Sequence, residues 1–355
     1  MFFILFLSHP LDEKLSAFVS VFYGISVPAG RGRARVTRSP RENRIRRLAT
    51  ALIEKRYPAQ VRIVEVSPRD GLQNEPVAVD VATKVALIEA LADAGLRAIE
   101  CGSFVSPKRV PQMANTAEVL GALRRSPGVE YSVLVPNLQG LEAAVRSEIT
   151  DIAIFAAASE SFSQHNIHCS IAESLSRFRA VAEQALTCGM RVRGYVSCVL
   201  GCPYEGSVAP EAAVRVARSL MEMGCYEISL GDTIGVGTPL AAQALIRQVA
   251  DHVPIGRLAV HFHDTYGQAL ANILAALQLG VAVVDAAVSG LGGCPYAPGA
   301  TGNVATEDVV YMLNGMNIET GIDLDKLTAA GQMISAALGR ESKSKASAAI
   351  RRKSR

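Results

Sequence analysis

From residue 61 onward the chain repeats one rhythm. A short apolar run comes first, then a polar or glycine-rich stretch, then apolar residues at helical spacing. Eight apolar runs stand out: Val61–Val66, Ala98–Glu100, Tyr131–Val135, Ile152–Ala156, Val192–Val199, Glu227–Leu230, Leu258–Phe262 and Val283–Val288. Short runs of this kind, many rich in β-branched residues, read as strands. Between them lie helical patterns. Val85, Ile88 and Leu91 precede Gly95, Ala212 to Met223 precede Gly224, and Ala269 to Leu279 precede Gly280. A glycine just past the last periodic residue is a usual helix stop. Strands alternating with helices imply right-handed βαβ units and a parallel sheet. Eight such units between residues 61 and 314 match a closed barrel of ~250 residues. An open doubly wound sheet would place Gly-x-Gly-x-x-Gly after the first strand. That turn reads Ser67-Pro68-Arg69-Asp70-Gly71-Leu72-Gln73 instead. The expected fold is therefore α/β, a (β/α)8 TIM barrel over 58–314. A peripheral N-terminal extension over 1–57, a helical appendage over 315–339 covering one end of the barrel, and a basic tail over 340–355 complete the chain.

Apolar residues make up 49% and charged residues 19%, which excludes disorder throughout. Mean hydropathy is +0.23, yet no apolar run approaches the ~20 residues that span a bilayer. Phe2 to Leu7 is short, runs into His9, Pro10, Asp12 and Glu13, and lacks the basic start of a secretory signal. The seven cysteines are odd in number and scattered, which favours a reducing compartment over a disulfide scaffold. Cys188 and Cys225 read as small core residues, and Cys198 and Cys202 show no ligand spacing.

Charge alters the picture more. The net +3 is composed of +8 on 31–56, +6 on 340–355, −1 on 1–30 and the remaining −10 on 57–339. An acidic body argues against a nucleic-acid-binding core, so neither nucleic acid nor membrane is an expected partner. The basic ends read as solvated, poorly ordered termini. Residues 31–56 also resemble a mitochondrial leader, although Asp12, Glu13, Glu42 and Glu54 weaken that; an early start on a cytoplasmic enzyme fits equally. The cytoplasm is the expected location and the mitochondrial matrix the alternative.

Catalytic groups of such barrels gather at the C-terminal ends of the strands. Here those ends offer Arg69 and Asp70, Glu100, Asp232, then His261 and His263, and finally the loop Gly290 to Tyr296 leading to Asn303. His261 and His263 are two apart on a strand and point the same way. Asp70 reaches the same spot if strands one and eight close the barrel. Two imidazoles, a carboxylate and an amide suit Mg²⁺ or Mn²⁺ better than Zn²⁺. The fixed donors of Arg69 suit an oxyanion or a carboxylate, with a structural ion pair as the alternative. Cys294 stands among Gly290, Gly292, Gly293, Gly299 and Gly302, where a thiol can serve as an acid or base or simply pack in a turn.

These residues resemble hydroxymethylglutaryl-CoA lyases. The stretches that carry the resemblance are Val64 to Glu75, Ser103 to Lys108, Val110 to Met113, Ser229 to Gly235, His261 to Asp264, and Gly290 to Asp308. The Arg-Asp-Gly and His-x-His pieces occur across metal-dependent barrel lyases and acyl-CoA synthases; the Cys294 loop narrows the resemblance to the lyases. It implies that Asp70, His261, His263 and Asn303 hold a divalent cation. Arg69 would stabilise an enolate, Gln73 would join it in binding substrate, Cys294 would be the loop acid/base, and Asp232 and Glu100 would support the site. It further implies cleavage of 3-hydroxy-3-methylglutaryl-CoA to acetoacetate and acetyl-CoA, an acyl-CoA thioester as partner and a homodimer. Ser67, Gly102 and Arg109 depart from the family's usual residues. They keep a longer branched 3-hydroxyglutaryl thioester open as substrate. A Claisen-type synthase of the same barrel group is the other alternative; it is disfavoured by the Cys294 loop and by the chain ending soon after the barrel.

Overall fold

The computed structural model describes residues 57–293 and 302–353. Eight parallel strands close into a barrel in chain order. They are β1 (Arg62–Glu65), β2 (Ala98–Ser103), β3 (Glu130–Leu134), β4 (Asp151–Ala157), β5 (Arg191–Ser197), β6 (Glu227–Asp232), β7 (Leu258–Phe262) and β8 (Val283–Ala286). β1 pairs with both β2 and β8, which seals the ring. Such strands are covered on both faces, which is why they read as continuous apolar runs rather than alternating ones.

The outer ring contains α1 (Val81–Asp93), α2 (Thr116–Ala122), α3 (Leu138–Arg146), α4 (Glu160–Ile167), α5 (Ile171–Thr187), α6 (Pro210–Glu222), α7 (Pro239–Ala250), α8 (Ala269–Leu277) and α9 (Thr306–Gly315). Their starts follow local rules. Asp80, Asn137, Ser159 and Ser170 accept a backbone N–H of the first turn, and α6 and α7 open on proline. Gly95 takes φ +104°, and a Cβ there would stand 2.2 Å from the Gly321 carbonyl oxygen. Among the described residues no helix is long and apolar enough to cross a membrane.

The appendage α10 (Leu324–Ala337) packs along α1 on the outside and against residues 288–290 just past β8, tied at the foot where Asp323 N donates to Ala94 O at 2.8 Å and at the mouth where the Ser289 and Ser335 hydroxyls pair at 2.7 Å. Two expectations are corrected. The basic tail, expected to be solvated and poorly ordered, carries a helix, α11 (Lys345–Lys353), whose Lys345, Arg351 and Arg352 stay exposed. The buried Asp308 carboxylate accepts Ser344 Oγ at 2.7 Å, Ala346 N at 2.7 Å and Lys345 N at 3.2 Å, so one carboxylate fixes the start of that helix. Cys188 is exposed at the end of α5, whereas Cys225 is buried. Residues 1–56 and Cys294, with the expectations attached to them, lie outside the described residues.

Candidate active site

The loop after β1 builds the first part of the site. Ser67–Gly71 forms one π-helical turn in which Gly71 N donates to Val66 O at 3.1 Å. Such turns recur at functional sites. The turn is anchored by Glu65, whose buried carboxylate accepts Ser67 N at 3.0 Å, Val288 N at 2.9 Å and Thr306 Oγ1 at 2.7 Å. One side chain thus joins the end of β1 to the end of β8 and presents Arg69 and Asp70 at the mouth.

Arg69 is 6% exposed and held between two acids. Its Nε donates to Glu100 Oε2 at 2.5 Å and its Nη1 to Asp70 Oδ1 at 2.5 Å. Glu100 does not sit at a strand end as expected. β2 runs on to Ser103 through a bulge between Glu100 and Gly102, and Glu100 points from mid-strand. The Glu100 Oε1 atom is buried with no hydrogen-bond partner among the described residues. Tyr195 OH lies 3.4 Å from Glu100 Oε2, and its ring is flanked by the Arg69 and Arg193 guanidiniums at 5.4 and 4.9 Å. Gln73, expected to touch substrate, spends its amide N–H on Asp70 Oδ1 at 2.8 Å.

Asp70, His261 and His263 converge as the sequence led us to expect, their ligand atoms all within 4.8 Å of one another. His261 Nε2 and His263 Nε2 are 3.2 Å apart, and Asp70 Oδ2 is 3.8 Å from His261 Nε2. Ligands ~2.1 Å from a shared octahedral cation stand about 3 Å from one another, so the set fits a small divalent ion. Asn303 stands beside this set as a donor: its Nδ2 gives hydrogen bonds to Asp70 Oδ2 at 2.8 Å and Leu291 O at 3.2 Å. The electrostatics agree. Burial alone would raise the Asp70 carboxyl, but Arg69, the two imidazoles and Asn303 outweigh it and hold it at about 2. Burial, with His261 alongside, lowers His263 to about 4. The site therefore offers an ionised carboxylate and a neutral imidazole near pH 7, the forms that bind metal.

Asp232 plays a different part from the others. Its carboxylate, at the end of β6, accepts Val236 N at 3.2 Å and Gly237 N at 2.7 Å, closing the loop beside His263. Gly292, two residues before Cys294, packs at the mouth; a Cβ there would meet Asn303 Nδ2 at 3.0 Å and Asp70 O at 3.5 Å.

Sequence reasoning missed the layer beneath. Asp285 on β8 accepts both Nη atoms of Arg193, at 2.7 and 3.1 Å, and Ser229 Oγ at 2.8 Å. Its Oδ2 also lies 3.3 Å from His261 Nδ1. Although burial works against the charge, Arg193 and His261 hold Asp285 below the usual carboxylate range. An ionised Asp285 keeps the proton on His261 Nδ1 and leaves Nε2 free to ligate. The available signal was Asp285 inside the apolar run Val283-Val284-Asp285-Ala286 and Arg193 between Val192 and Gly194, charges set among buried apolar neighbours.

Glu307, fully buried at the start of α9, accepts Ser289 N at 2.8 Å beneath the glycine-rich loop. Burial raises its carboxyl to about 8, with Glu65 and Asp308 adding to the rise. The folded protein keeps a proton there that the unfolded chain, at an ordinary 4.5, has lost by neutral pH. Stability from this group is complete below 4.5 and is lost as pH rises through about 8. Glu307→Gln is expected to flatten that fall. Denaturant midpoints of wild type and variant that change in parallel across this range sink the prediction.

The HMGL-like family model matches residues 60–334. The 3-hydroxy-3-isohexenylglutaryl-CoA/hydroxy-methylglutaryl-CoA lyase of Pseudomonas aeruginosa is 60% identical over 293 residues, 82% of this chain and 98% of the relative. A crystal structure of hydroxymethylglutaryl-CoA lyase from P. aeruginosa superposes with TM-score 0.83 at 60% identity, over 84% of this chain and 99% of that one. An HMG-CoA lyase from Acinetobacter baumannii, solved with coenzyme A and 3-methylmalate, superposes with TM-score 0.77 at 36% identity, over 81% and 94%. With this barrel, this site and these relatives, the chain belongs to the HMGL-like family of hydroxymethylglutaryl-CoA lyases.

Proposed function

We propose that this carbon–carbon lyase cleaves 3-hydroxy-3-methylglutaryl-CoA to acetoacetate and acetyl-CoA. The observation that carries the reading is Arg69, a buried cation beside the Asp70–His261–His263 cluster. Retro-aldol cleavage removes a proton from a tertiary hydroxyl, breaks a C–C bond and collects charge on a thioester enolate oxygen. When bound at Asp70, His261, His263 and Asn303, a divalent cation supplies Lewis acidity toward substrate oxygens; Mg²⁺ or Mn²⁺ suits these donors. Arg69, aligned by Glu100 and Asp70, stabilises the enolate charge where it develops. Glu100 Oε1, a buried acceptor without a partner among the described residues, is satisfied by a donor on bound substrate or water. Cys294 serves as the loop acid/base that returns a proton to the acetyl carbon. Asp232 and Gln73 act as positioning residues, the first through its loop and the second through Asp70.

The expected setting is the cytoplasm, with the mitochondrial matrix as the alternative. The expected assembly is a homodimer, with Leu240, Tyr266 and Tyr311 leaving large side chains at the surface for a second copy to cover. Product analysis tests the activity: the methylglutaryl thioester with Mg²⁺ yields acetoacetate and acetyl-CoA in equal amounts. Turnover of acetyl-CoA with a 2-oxo acid, and none of this thioester, overturns the reading.

A further inference from the structure

The basic segment after α10, together with the first residue of α11, returns to the barrel mouth and touches both stems of the glycine-rich loop. On the first stem, Lys343 N donates to Ser289 O at 3.0 Å and Lys343 Nζ to Gly292 O at 3.4 Å. Arg340 Nη2 stands 3.0 Å from Glu75 Oε1, the same oxygen that accepts Gly292 N at 3.2 Å. On the second, Lys345 Nζ lies 3.6 Å from Asp264 Oδ2, and Asp264 N donates to Gly302 O at 2.7 Å. The stems meet where Gly302 N donates to Gly292 O at 3.3 Å. The next residue is Asn303, whose Nδ2 holds Leu291 O and Asp70 Oδ2. There is little slack in this stack. A Cβ on Gly290 would meet Lys343 Cβ at 3.1 Å, and one on Gly292 would meet Asn303 Nδ2 at 3.0 Å. The segment has its own anchor in Asp308, which fixes Ser344 and the start of α11.

We propose that residues 340–345 form a strap in which Arg340 and Lys343 are positioning residues, holding Gly292 where it sets Asn303 against Asp70. Neither side chain acts on substrate; both act through the backbone of 289–292. The expected consequence is that the strap governs the metal-binding geometry of the mouth. The inference rests on the lyase reading of the site for its activity arm, and on the contacts alone for the rest.

The test uses the full chain with Arg340→Met, Lys343→Met and the double variant. Mn²⁺ affinity of the substrate-free protein, amide exchange at Gly292 and Gly302, kcat and KM are read together. Loss of a group that orients metal ligands typically costs 10–100-fold. The double variant is therefore expected to lose about that much in Mn²⁺ affinity and in kcat, with faster exchange at both glycines, little change in KM and an unchanged unfolding midpoint. Lys343→Arg restores most of it. Wild-type Mn²⁺ affinity and kcat in the double variant overturn the strap. So does a rise in KM alone, which would make Lys343 a direct substrate contact. If the double variant fails to fold, wild-type exchange decides: slow Gly292 and Gly302 amides support the strap, and amides that exchange at the open-chain rate refute it. If wild type cleaves no thioester, the lyase reading fails while Mn²⁺ affinity and exchange still judge the strap.

Discussion

Arg69→Met is expected to lower kcat by at least ~10²–10³-fold, the loss seen when one donor facing a developing oxyanion is removed, while the barrel stays folded. KM should move little, because the enolate charge that Arg69 meets exists only near the transition state. The geometry makes this a test of charge and fork together. Arg69 bonds Glu100 through Nε and Asp70 through Nη1, an arrangement that a lysine, as a point charge without the fixed fork, cannot reproduce. Arg69→Lys should therefore recover only part of the rate. Metal titration belongs in the same experiment, since the substitution leaves Glu100 and Asp70 facing each other without their cation. Asp70 keeps His261, His263 and Asn303 as partners, so metal binding should survive. A normal kcat in Arg69→Met would reduce Arg69 to a structural ion pair. The same assay places Cys294: Cys294→Ala should lose ~10²–10⁴ in rate if the thiol transfers the proton, and a near wild-type Cys294→Ser removes it from the mechanism.

Exhaustive chelation should abolish cleavage, and Mg²⁺ or Mn²⁺ should restore it. His261→Ala should not be rescued at the same metal concentration. That substitution removes a ligand and also leaves Asp285 without its His261 Nδ1 contact at 3.3 Å, although Arg193 and Ser229 still hold the carboxylate in place. The barrel interior should thus survive while the site fails. Full turnover in metal-free protein, with residual metal measured directly, would falsify the metal assignment.

What the sequence revealed follows from how local each signal was. The barrel was legible because its strands are largely buried on both faces and helix stops such as Gly95, Gly224 and Gly280 carry their own glycine. The His261–His263 pair was legible because two residues apart on a strand means one face. Asp285 and Arg193 were not, since their partnership joins β5 to β8 across 92 positions and exists only once the ring closes. β2 runs three residues past the apolar run Ala98–Glu100, through Cys101, Gly102 and Ser103. The structure shows the reason for that glycine: a Cβ there would meet Thr116 Oγ1 at 2.7 Å. The helix in the tail was not legible, because Asp308, which holds its start, lies far upstream.

The Glu65 clasp also bears on the order in which the molecule assembles. Its partners Val288 and Thr306 lie 223 and 241 positions along the chain, nearly the whole length of the barrel. Loop-closure entropy opposes contacts so distant in sequence. During synthesis β1 emerges first and must wait for β8. Until then its edge is unpaired and the Glu65 carboxylate has none of those distant partners. In the closed barrel burial drives that carboxyl upward, and its bonds to Ser67, Thr306 and Val288 act the other way. The sealing of β1 to β8 is therefore expected late in folding, and an open sheet with a bare β1 edge would be open to mispairing with another chain.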